Sequence, residues 1–283
     1  MTSTDPRLQC LYPDAGTRAL ELEGLYLDEC WRAGAVPGPE GCFVYANFVA
    51  SLDGRIATAA EPGGSLEVPA AIANPRDWRL YLELAAQADV LLVSGRYVRE
   101  LGAGTAQAGF ALSGDAPADL LNFRARLGLP PRPAIAVLSA SLDLPPAPLA
   151  AVRRERPVLI LTGAAADGAR RRALEAHGCE VVVAGQSTVQ AAQLLSELAA
   201  RGLRYVYAIA GPEVLRTLVV AGRLDRLYLT TVFRLLGGDR FATLLTGELL
   251  PTPVALRLRE AYLDQDGGAA PAQLIQVFER VWR

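Results

Sequence analysis

Three turns that follow apolar runs hold the groups that could do chemistry. The first, residues 51–56 (SLDGRI), places the carboxylate of Asp53 beside Gly54. A glycine there lets another molecule approach the backbone closely, and a carboxylate beside it could orient or polarise a reacting group. Asp53 could equally do no more than accept hydrogen bonds within its own turn. The segment alone leaves both interpretations open.

The second and third turns are residues 93–96 (VSGR) and 210–213 (AGPE). A turn of small residues that opens a helix leaves backbone N–H groups directed at any nearby anion, so both turns are candidate phosphate sites. Neither turn matches the GxGxxG or P-loop pattern. A standard Rossmann dinucleotide site is therefore not indicated.

These turns require a common scaffold. Residues 42–50 (CFVYANFVA) are apolar almost throughout, which predicts a strand covered on both faces. Between residues 157 and 211, strand-like and helix-like segments alternate, as is typical of a parallel α/β sheet. Ligands bind such sheets at the carboxyl ends of the strands. We therefore expect the three turns along one edge of the sheet.

The remaining pattern predicts the other elements and the domain limits. Helices are expected over residues 20–31, 71–88, 119–127, 168–177, 189–201 and 214–221, and strands over residues 89–93, 134–138, 157–161, 180–184, 205–210 and 226–232. Residues 102–117 are predicted to form a loop, and residues 273–282 a final edge strand or hairpin partner. Residues 1–40 are rich in turn formers and form a predicted N-terminal extension before the main domain, residues 41–283.

Composition argues against several classes of protein. The chain has 283 residues, is 51% hydrophobic and has a net charge of −2, so it can bury a large core and has no dense basic face for nucleic acid. No apolar run approaches the ~20 residues of a membrane span, and the first residues lack the basic start and apolar stretch of a signal peptide. The sequence predicts a cytoplasmic protein that binds neither nucleic acid nor membrane.

Metal and lysine chemistry are not indicated either. The four cysteines contain no Cys-x-x-Cys pair and His177 is the sole histidine, so no zinc site is predicted. Cys42 and Cys179 are expected to be small buried thiols, and His177 to lie at the end of a helix. All 28 basic residues are arginines, so the chain has no Schiff-base or P-loop lysine.

Taken together and in order, these segments resemble the reductases of riboflavin biosynthesis. That family includes the C-terminal reductase domain of the bifunctional deaminase/reductase and the standalone diaminopyrimidine ribosyl phosphate reductase. Residues 45–57 (YANFVASLDGRIA) match its first strand, in which an Asn or Lys precedes small residues and SLDG(K/R)IA, and Asn47 occupies the first position. Later segments that resemble the family are residues 89–93, 132–139, 194–212, 222–227 and 236–238. The resemblance covers residues 42–283.

The resemblance implies an α/β fold like that of dihydrofolate reductase, with a mostly parallel sheet flanked by helices, and it suggests a homodimer. NADPH would lie across the carboxyl ends of the strands and reduce a ribosyl imine or aldehyde carbon to a ribityl product. Asn47, Ser51 and Asp53 are then expected to face the substrate and the nicotinamide. The residues expected at the cofactor are Gly54, Ser94, Gly95, Arg96, Ser139, Thr162, Ala210, Gly211 and Pro212. Arg96 is either a phosphate ligand or an ordinary surface arginine.

Three departures from the family pattern keep two other hypotheses open. The family's GAGT reads SGRY at residues 94–97, its DxPxLTxR is absent from residues 102–117, and its Glu-Gly-Gly turn reads IAG at residues 209–211. In the family these segments help to hold the ribosyl phosphate and the nicotinamide. Loss of the phosphate-handling segment favours a reductase of the same fold that acts on a pterin or another heterocycle. Loss of the glutamate favours a non-catalytic ligand-binding or scaffold homologue.

Overall fold

The computed structural model describes residues 8–13, 19–27, 32, 34–59, 64–107, 109–265 and 271–281. In chain order the strands are β1 Leu8–Tyr12, β2 Ala19–Leu20, β3 Phe43–Ser51, β4 Ala57–Ala59, β5 Leu66–Glu67, β6 Val90–Ser94, β7 Ala134–Leu138, β8 Val158–Thr162, β9 Glu180–Val183, β10 Tyr205–Ala208, β11 Arg226–Val232, β12 Phe241–Ala242, β13 Leu256–Asp264 and β14 Gln273–Arg280. The helices of these residues are α1 Pro75–Gln87, α2 Gly95–Ala103, α3 Ala118–Arg126, α4 Pro146–Arg153, α5 Gly168–Ala176, α6 Ala191–Ala200 and α7 Pro212–Val220.

Within the described ranges, an 11-stranded sheet has the order β2–β1–β13–β14–β11–β3–β10–β6–β7–β8–β9. Every neighbouring pair from β11 to β9 is parallel, whereas the pairs from β2 to β11 are antiparallel. Strands β12, β4 and β5 form a second, small sheet. The expected α/β class, a mostly parallel sheet flanked by helices, is confirmed. Strands β1 and β2, which fall within the predicted N-terminal extension, lie at one edge of the main sheet.

Alternate residues of β3 divide the core into two layers. Tyr45 belongs to a layer that includes Leu84 of α1, whereas Ala46 belongs to a layer that includes Leu194 of α6 and Leu218 of α7. Strands β6, β7 and β8 are buried along nearly their whole length. Strands covered on both faces read as continuous apolar runs, which is why periodicity located this part of the sheet well.

Helix α1 begins where the sequence supplies a cap. The Asn74 side chain accepts a hydrogen bond from the backbone N–H of Asp77 (2.9 Å), and Pro75 occupies the first turn, where its missing N–H costs nothing. At the other end, the buried guanidinium of Arg124 donates to the backbone carbonyls that the helix leaves unpaired, at 2.7 and 3.0 Å. Both ends of α1 are therefore fixed by side chains.

Several predicted elements are confirmed. Strands β7 and β11 lie at residues 134–138 and 226–232, as the pattern predicted, and α1 lies within the predicted helix over residues 71–88. Cys42 and Cys179 are buried, and His177 follows the last residue of α5 as its C-cap. Of the described helices, none is long and apolar enough to cross a membrane.

Helices α2 and α4 and strand β13 are among the elements that the sequence pattern did not predict. Helix α2 begins at Gly95. Ser94 and Gly95 resemble the end of a strand, but the Ser94 side chain caps the helix by accepting a hydrogen bond from the Tyr97 N–H (3.3 Å). Helix α4 begins at Pro146 inside a proline-rich run, where proline suits the first helical turn. In strand β13 apolar and polar residues do not alternate regularly, because much of the strand is exposed.

One expectation was wrong, and another was met in one of its two alternatives. Residues 20–31 were expected to form a helix, but Leu20 ends a strand and residues 22–26 form turns; residues 28–31 lie outside the described ones. The buried carboxylate of Glu83 accepts from the N–H groups of Gly24 (2.6 Å) and Tyr26 (3.0 Å), so the chain turns around that carboxylate. Strand β14 is the hairpin partner of β13, as predicted, but it lies between β13 and β11 and is not an edge strand. Trp282, in that predicted segment, lies outside the described residues.

Candidate functional site

The parallel strands bring the three predicted turns to one edge of the sheet. Val232 at the end of β11 lies opposite Ser51 at the end of β3, and Ser94 at the end of β6 lies opposite Leu138 at the end of β7. Strand β10, which leads to the third turn, lies between β3 and β6. The sequence-predicted site residues therefore share the carboxyl edge of this part of the sheet.

The Asp53 carboxylate is fully engaged by its surroundings. It accepts hydrogen bonds from the Ser51 hydroxyl and from the backbone N–H groups of Leu236 (3.2 Å) and Gly237 (2.9 Å), and it pairs with the Arg55 guanidinium at 2.5 Å. The bond from Ser51, followed by that from Gly237, lowers the pKa of Asp53 to about 2. Asp53 thus ties the first turn to the segment that follows β11. Its predicted role toward a substrate stays a prediction.

The residues beside Asp53 explain the shape of this turn. Gly54 has a φ of +80°, a left-handed conformation that side chains other than glycine rarely adopt. The buried Ser51 hydroxyl also accepts a hydrogen bond from the Arg55 N–H at 3.0 Å. Ser51, Asp53 and Gly54 therefore each have a structural role in this turn, whatever else they do.

Asn47 lies deeper along β3 and is held by a tyrosine. The Tyr207 hydroxyl donates to Asn47 Oδ1 at 2.5 Å, and the Tyr207 ring stacks on Tyr45 with centroids 4.9 Å apart. On the other side Tyr81 of α1 approaches Tyr207, with centroids 5.8 Å apart. The Asn47 amide is half-buried, and its orientation is set by this aromatic stack.

Asp77, in the first turn of α1, is a candidate that the sequence did not reveal. It is 8% exposed, it accepts a hydrogen bond from the Thr230 side chain, and its Oδ1 has no hydrogen-bond partner among the described residues. Burial raises the pKa of Asp77 to about 6, against the opposing effect of Thr230. An acidic residue in the first helical turn is ordinarily a solvated group that complements the helix dipole, so only its burial marks it.

Asp77 stands at the same edge as the predicted residues. Asn74, the cap of its helix, donates to Gln273 at 2.9 Å, and Gln273 is paired with Val232 at the end of β11. Its charge also raises the pKa of Tyr207, the tyrosine that holds Asn47, although burial is the main cause of that shift. Asp77 and Asn47 therefore belong to one polar cluster.

The predicted cofactor residues on β6, β7 and β8 are packed closely. A Cβ placed on Gly95 would lie 3.0 Å from the Ser139 Oγ, so the second turn presses against the end of β7. Ser139 in turn accepts from the Leu142 N–H at 3.0 Å. Thr162, at the end of β8, is fully buried, and its hydroxyl has no partner within the part of the chain that the structure describes. Arg96 pairs with Glu100 at 2.6 Å and its side chain is 55% exposed, which matches the surface interpretation.

The third turn opens helix α7. Ala210 is buried, Gly211 is the N-cap and supplies no side-chain hydrogen bond, and Pro212 occupies the first turn. No atom lies within 4 Å of a Cβ placed on Gly211. The start of α7 therefore combines backbone N–H groups with open space, an arrangement that suits a phosphate.

An apolar pocket of about 170 Å³ lies elsewhere, between α7, β11 and the segment that precedes β13. Its lining includes Leu215, Leu227, Leu244 and Leu250, with the Arg280 side chain. No residue that the sequence predicted for the site lines it. The carboxyl edge, and not this pocket, brings the polar groups together.

Comparison with family models matches the RibD C-terminal domain to residues 42–269. A comparison with curated protein sequences found no match.

Solved structures show the same fold. A pyrimidine reductase-like protein from Corynebacterium diphtheriae is 21% identical with a TM-score of 0.66, over 88% of this chain and 97% of that one. RibD of Acinetobacter baumannii is 16% identical with a TM-score of 0.58, and the match covers 86% of this chain and 59% of that one. The riboflavin biosynthesis reductase Rib7 of Saccharomyces cerevisiae is 14% identical with a TM-score of 0.53, over 88% and 94% of the two chains.

Proposed function

This chain belongs to the RibD C-terminal domain family, and from that membership we propose that it is an NADPH-dependent reductase of riboflavin biosynthesis. The proposed reaction reduces the ribosyl group of a (di)aminopyrimidine ribosyl 5′-phosphate to ribityl. The observation that carries the proposal is the gathering of Asn47, Ser94, Ser139 and Gly211 along one carboxyl edge, the place where open α/β sheets bind nucleotides.

Each part of that edge has a role in the proposal. The backbone N–H groups at the start of α7 bind the cofactor's phosphates. The buried hydroxyls of Ser139 and Thr162 lie farther along the edge, beside β7 and β8, where they suit the remainder of the dinucleotide. Asn47 and its partner Tyr207 lie at β3 and β10, where the nicotinamide and the substrate would meet.

The cofactor supplies a hydride, and the protein's contribution is to hold the two reactants in line and to exclude water. The Asn47 side chain, fixed by Tyr207, is preorganised for such a role because its orientation is set before any ligand arrives. Asp53 acts here by holding the first turn against the segment after β11.

Absorbance at 340 nm tests the proposal directly. The purified chain, mixed with NADPH and the diaminopyrimidine ribosyl phosphate, should oxidise NADPH and release the ribityl product. NADPH alone should raise the melting temperature, because a ligand at a hundred times its Kd stabilises the folded state by about 2.7 kcal/mol, and NADH should raise it less. No shift with either nucleotide would contradict the reductase and favour the scaffold hypothesis.

A second candidate function is reduction of a pterin or another heterocycle. It is favoured by the absence of the family's DxPxLTxR segment from residues 102–117, where Phe110 and Leu112 are instead buried in the core. Turnover with a dihydropterin, and none with the ribosyl phosphate, would select this candidate.

Assembly and location complete the proposal. We propose a homodimer in the cytoplasm, as the family resemblance suggests, with a small-molecule substrate and neither nucleic acid nor membrane as partner. Light scattering coupled to size-exclusion chromatography should give twice the chain mass of 30.1 kDa.

A further inference from the structure

The Asp77 carboxyl group has more acceptor capacity than its surroundings use. One oxygen is engaged by Thr230, while Oδ1 is buried without a hydrogen-bond partner among the described residues. The Tyr26 hydroxyl is likewise buried without a partner in the described ranges, and the charge of Asp77 contributes to raising its pKa. Buried polar atoms without partners are rare in folded proteins and call for an explanation.

The position of this cluster is more informative than its burial. The first turn of α1 reaches the carboxyl end of β11 through the bond from Asn74 to Gln273 (2.9 Å), and Thr230 is paired with Val49 of β3. Asn47 lies two residues earlier on β3, on the same face as Val49, because side chains alternate along a strand. Asp77, the partner of Thr230, therefore stands over the face of the sheet that carries Asn47, close to the region assigned above to the substrate and the nicotinamide.

A second aspartate shows that burial alone does not produce this arrangement. Asp225 is as buried as Asp77, it also has an Oδ1 without a partner among the described residues, and burial raises its pKa to about 6 as well. However, it lies before β11, where it accepts from the Val44 N–H (2.7 Å) at the amino end of β3. Of the two, Asp77 alone stands at the carboxyl edge.

We propose that Asp77 is a catalytic residue of the reductase, contacting the substrate through Oδ1 and donating the proton that accompanies hydride transfer. This role rests on the proposed function. Hydride from the nicotinamide forms a C–H bond at the imine carbon, and NADPH is oxidised to NADP⁺. The π pair of the C=N bond moves to nitrogen and takes the proton from Asp77, which leaves an amine and a carboxylate. Solvent returns a proton to Asp77 before the next turnover.

The electrostatics of the cluster suit this step. An acid is most effective when its pKa lies near the working pH, and burial holds the pKa of Asp77 at about 6. Thr230 tunes the group, because its hydrogen bond to the carboxylate lowers that pKa. The buried phenols of Tyr26, Tyr207 and Tyr228 surround the cluster, and burial raises their pKa values, so they remain neutral.

The test compares three variants of the full chain by kcat and KM between pH 5 and 8, with NADPH and the diaminopyrimidine ribosyl phosphate. Asp77→Asn should lower kcat about 100-fold, the usual size of a general-acid contribution, and should abolish the fall in kcat/KM above about pH 6. Thr230→Val should keep activity at low pH and move that fall to higher pH, because the bond that lowers the pKa is gone. Asp225→Asn, the matched control, should change neither kcat nor the pH profile.

Each other outcome has a definite meaning. If Asp77→Asn keeps kcat within about two-fold, or raises KM alone, the proton-donor role is overturned while the reductase stands. If Thr230→Val leaves the profile in place, the titrating group is not Asp77. If the wild-type chain oxidises no NADPH, the proposed function fails and the role of Asp77 fails with it. Circular dichroism of each variant confirms that it is folded.

Discussion

The two edges of the parallel sheet carry similar aspartates in different surroundings. Asp77 at the carboxyl edge and Asp225 at the amino edge are 8% and 6% exposed, and burial raises the pKa of each to about 6. Asp225 has Arg223, Arg226 and Arg280 close by, each lowering its pKa. The neighbours of Asp77 are instead the Thr230 hydroxyl and the neutral phenols of Tyr26 and Tyr207.

The difference teaches that a perturbed carboxyl group is not by itself a site. Perturbed pKa values occur at functional sites and also in structural networks. At the amino edge the charge is compensated by arginines and a backbone N–H group, which is a structural solution. At the carboxyl edge Asp77 lies instead beside Thr230 and Tyr207, and the Tyr207 hydroxyl donates to the amide of Asn47.

The largest expected effect is on stability, and both edges should show it alike. A carboxyl group whose pKa is raised on folding binds its proton more tightly in the native state, so stability falls as pH rises from about 4 to 6. Above pH 6 each ionised group costs about 3 kcal/mol. Asp77→Asn and Asp225→Asn should each raise the unfolding free energy at pH 7 by as much as about 3 kcal/mol, and by little at pH 4, as measured by urea denaturation. If either variant were less stable than the wild type at pH 7, the aspartate it replaces would not destabilise the fold as an ionised group.

Gly211→Ala tests whether the carboxyl edge binds the phosphates of the cofactor at the start of α7. No atom lies within 4 Å of the added methyl group and the φ of −61° is accessible to alanine, so the melting temperature should hardly change. A phosphate bound at the start of α7 would meet the methyl group, and we expect the Kd of NADPH to rise about ten-fold, or ~1.4 kcal/mol. Calorimetric titration measures this. Gly109→Ala is the matched control, because Gly109 has no positive φ and no atom lies within 4 Å of a Cβ placed there.

Asp53→Asn tests whether the first turn matters for chemistry beyond its own geometry. The amide retains one acceptor oxygen for the Leu236 and Gly237 N–H groups but loses the ion pair with Arg55. We expect turnover to fall about ten-fold with NADPH binding unchanged. Because the pKa of Asp53 is lowered to about 2, its stabilising effect should be present above pH 4 and be lost between about pH 4 and 2. Unchanged turnover and substrate affinity would remove Asp53 from the site.

The smallest effect is expected at Arg96. Its ion pair with Glu100 is exposed, and such pairs contribute at most about 0.5 kcal/mol on a helix surface. Arg96→Ala should therefore leave the melting temperature and the Kd of NADPH close to the wild-type values. A Kd of NADPH several-fold higher for this variant than for the wild type would instead identify Arg96 as a phosphate ligand.

The sequence by itself determined the elements whose signals are local. The apolar runs of β3, β6, β7 and β8 and the alternation of strands with helices were readable because both faces of those strands are buried. From them followed the α/β class and the edge at which the three turns meet. The motifs in order also indicated the family, to which residues 42–269 belong.

Only the tertiary structure decided what the charged side chains do. Asp53 is engaged by Leu236 and Gly237, far along the chain, and the turn at Gly24 exists because Glu83 binds it. In the sequence, Asp77 resembles any acidic residue in the first turn of a helix. Its carboxyl group is buried only because α1 packs against the sheet, where Asp77 meets Thr230 of β11. The physical reason is that the apolar residues of a strand themselves show that it is buried. The energy of a charged group depends instead on the water it loses on folding and on the partners that distant segments bring to it.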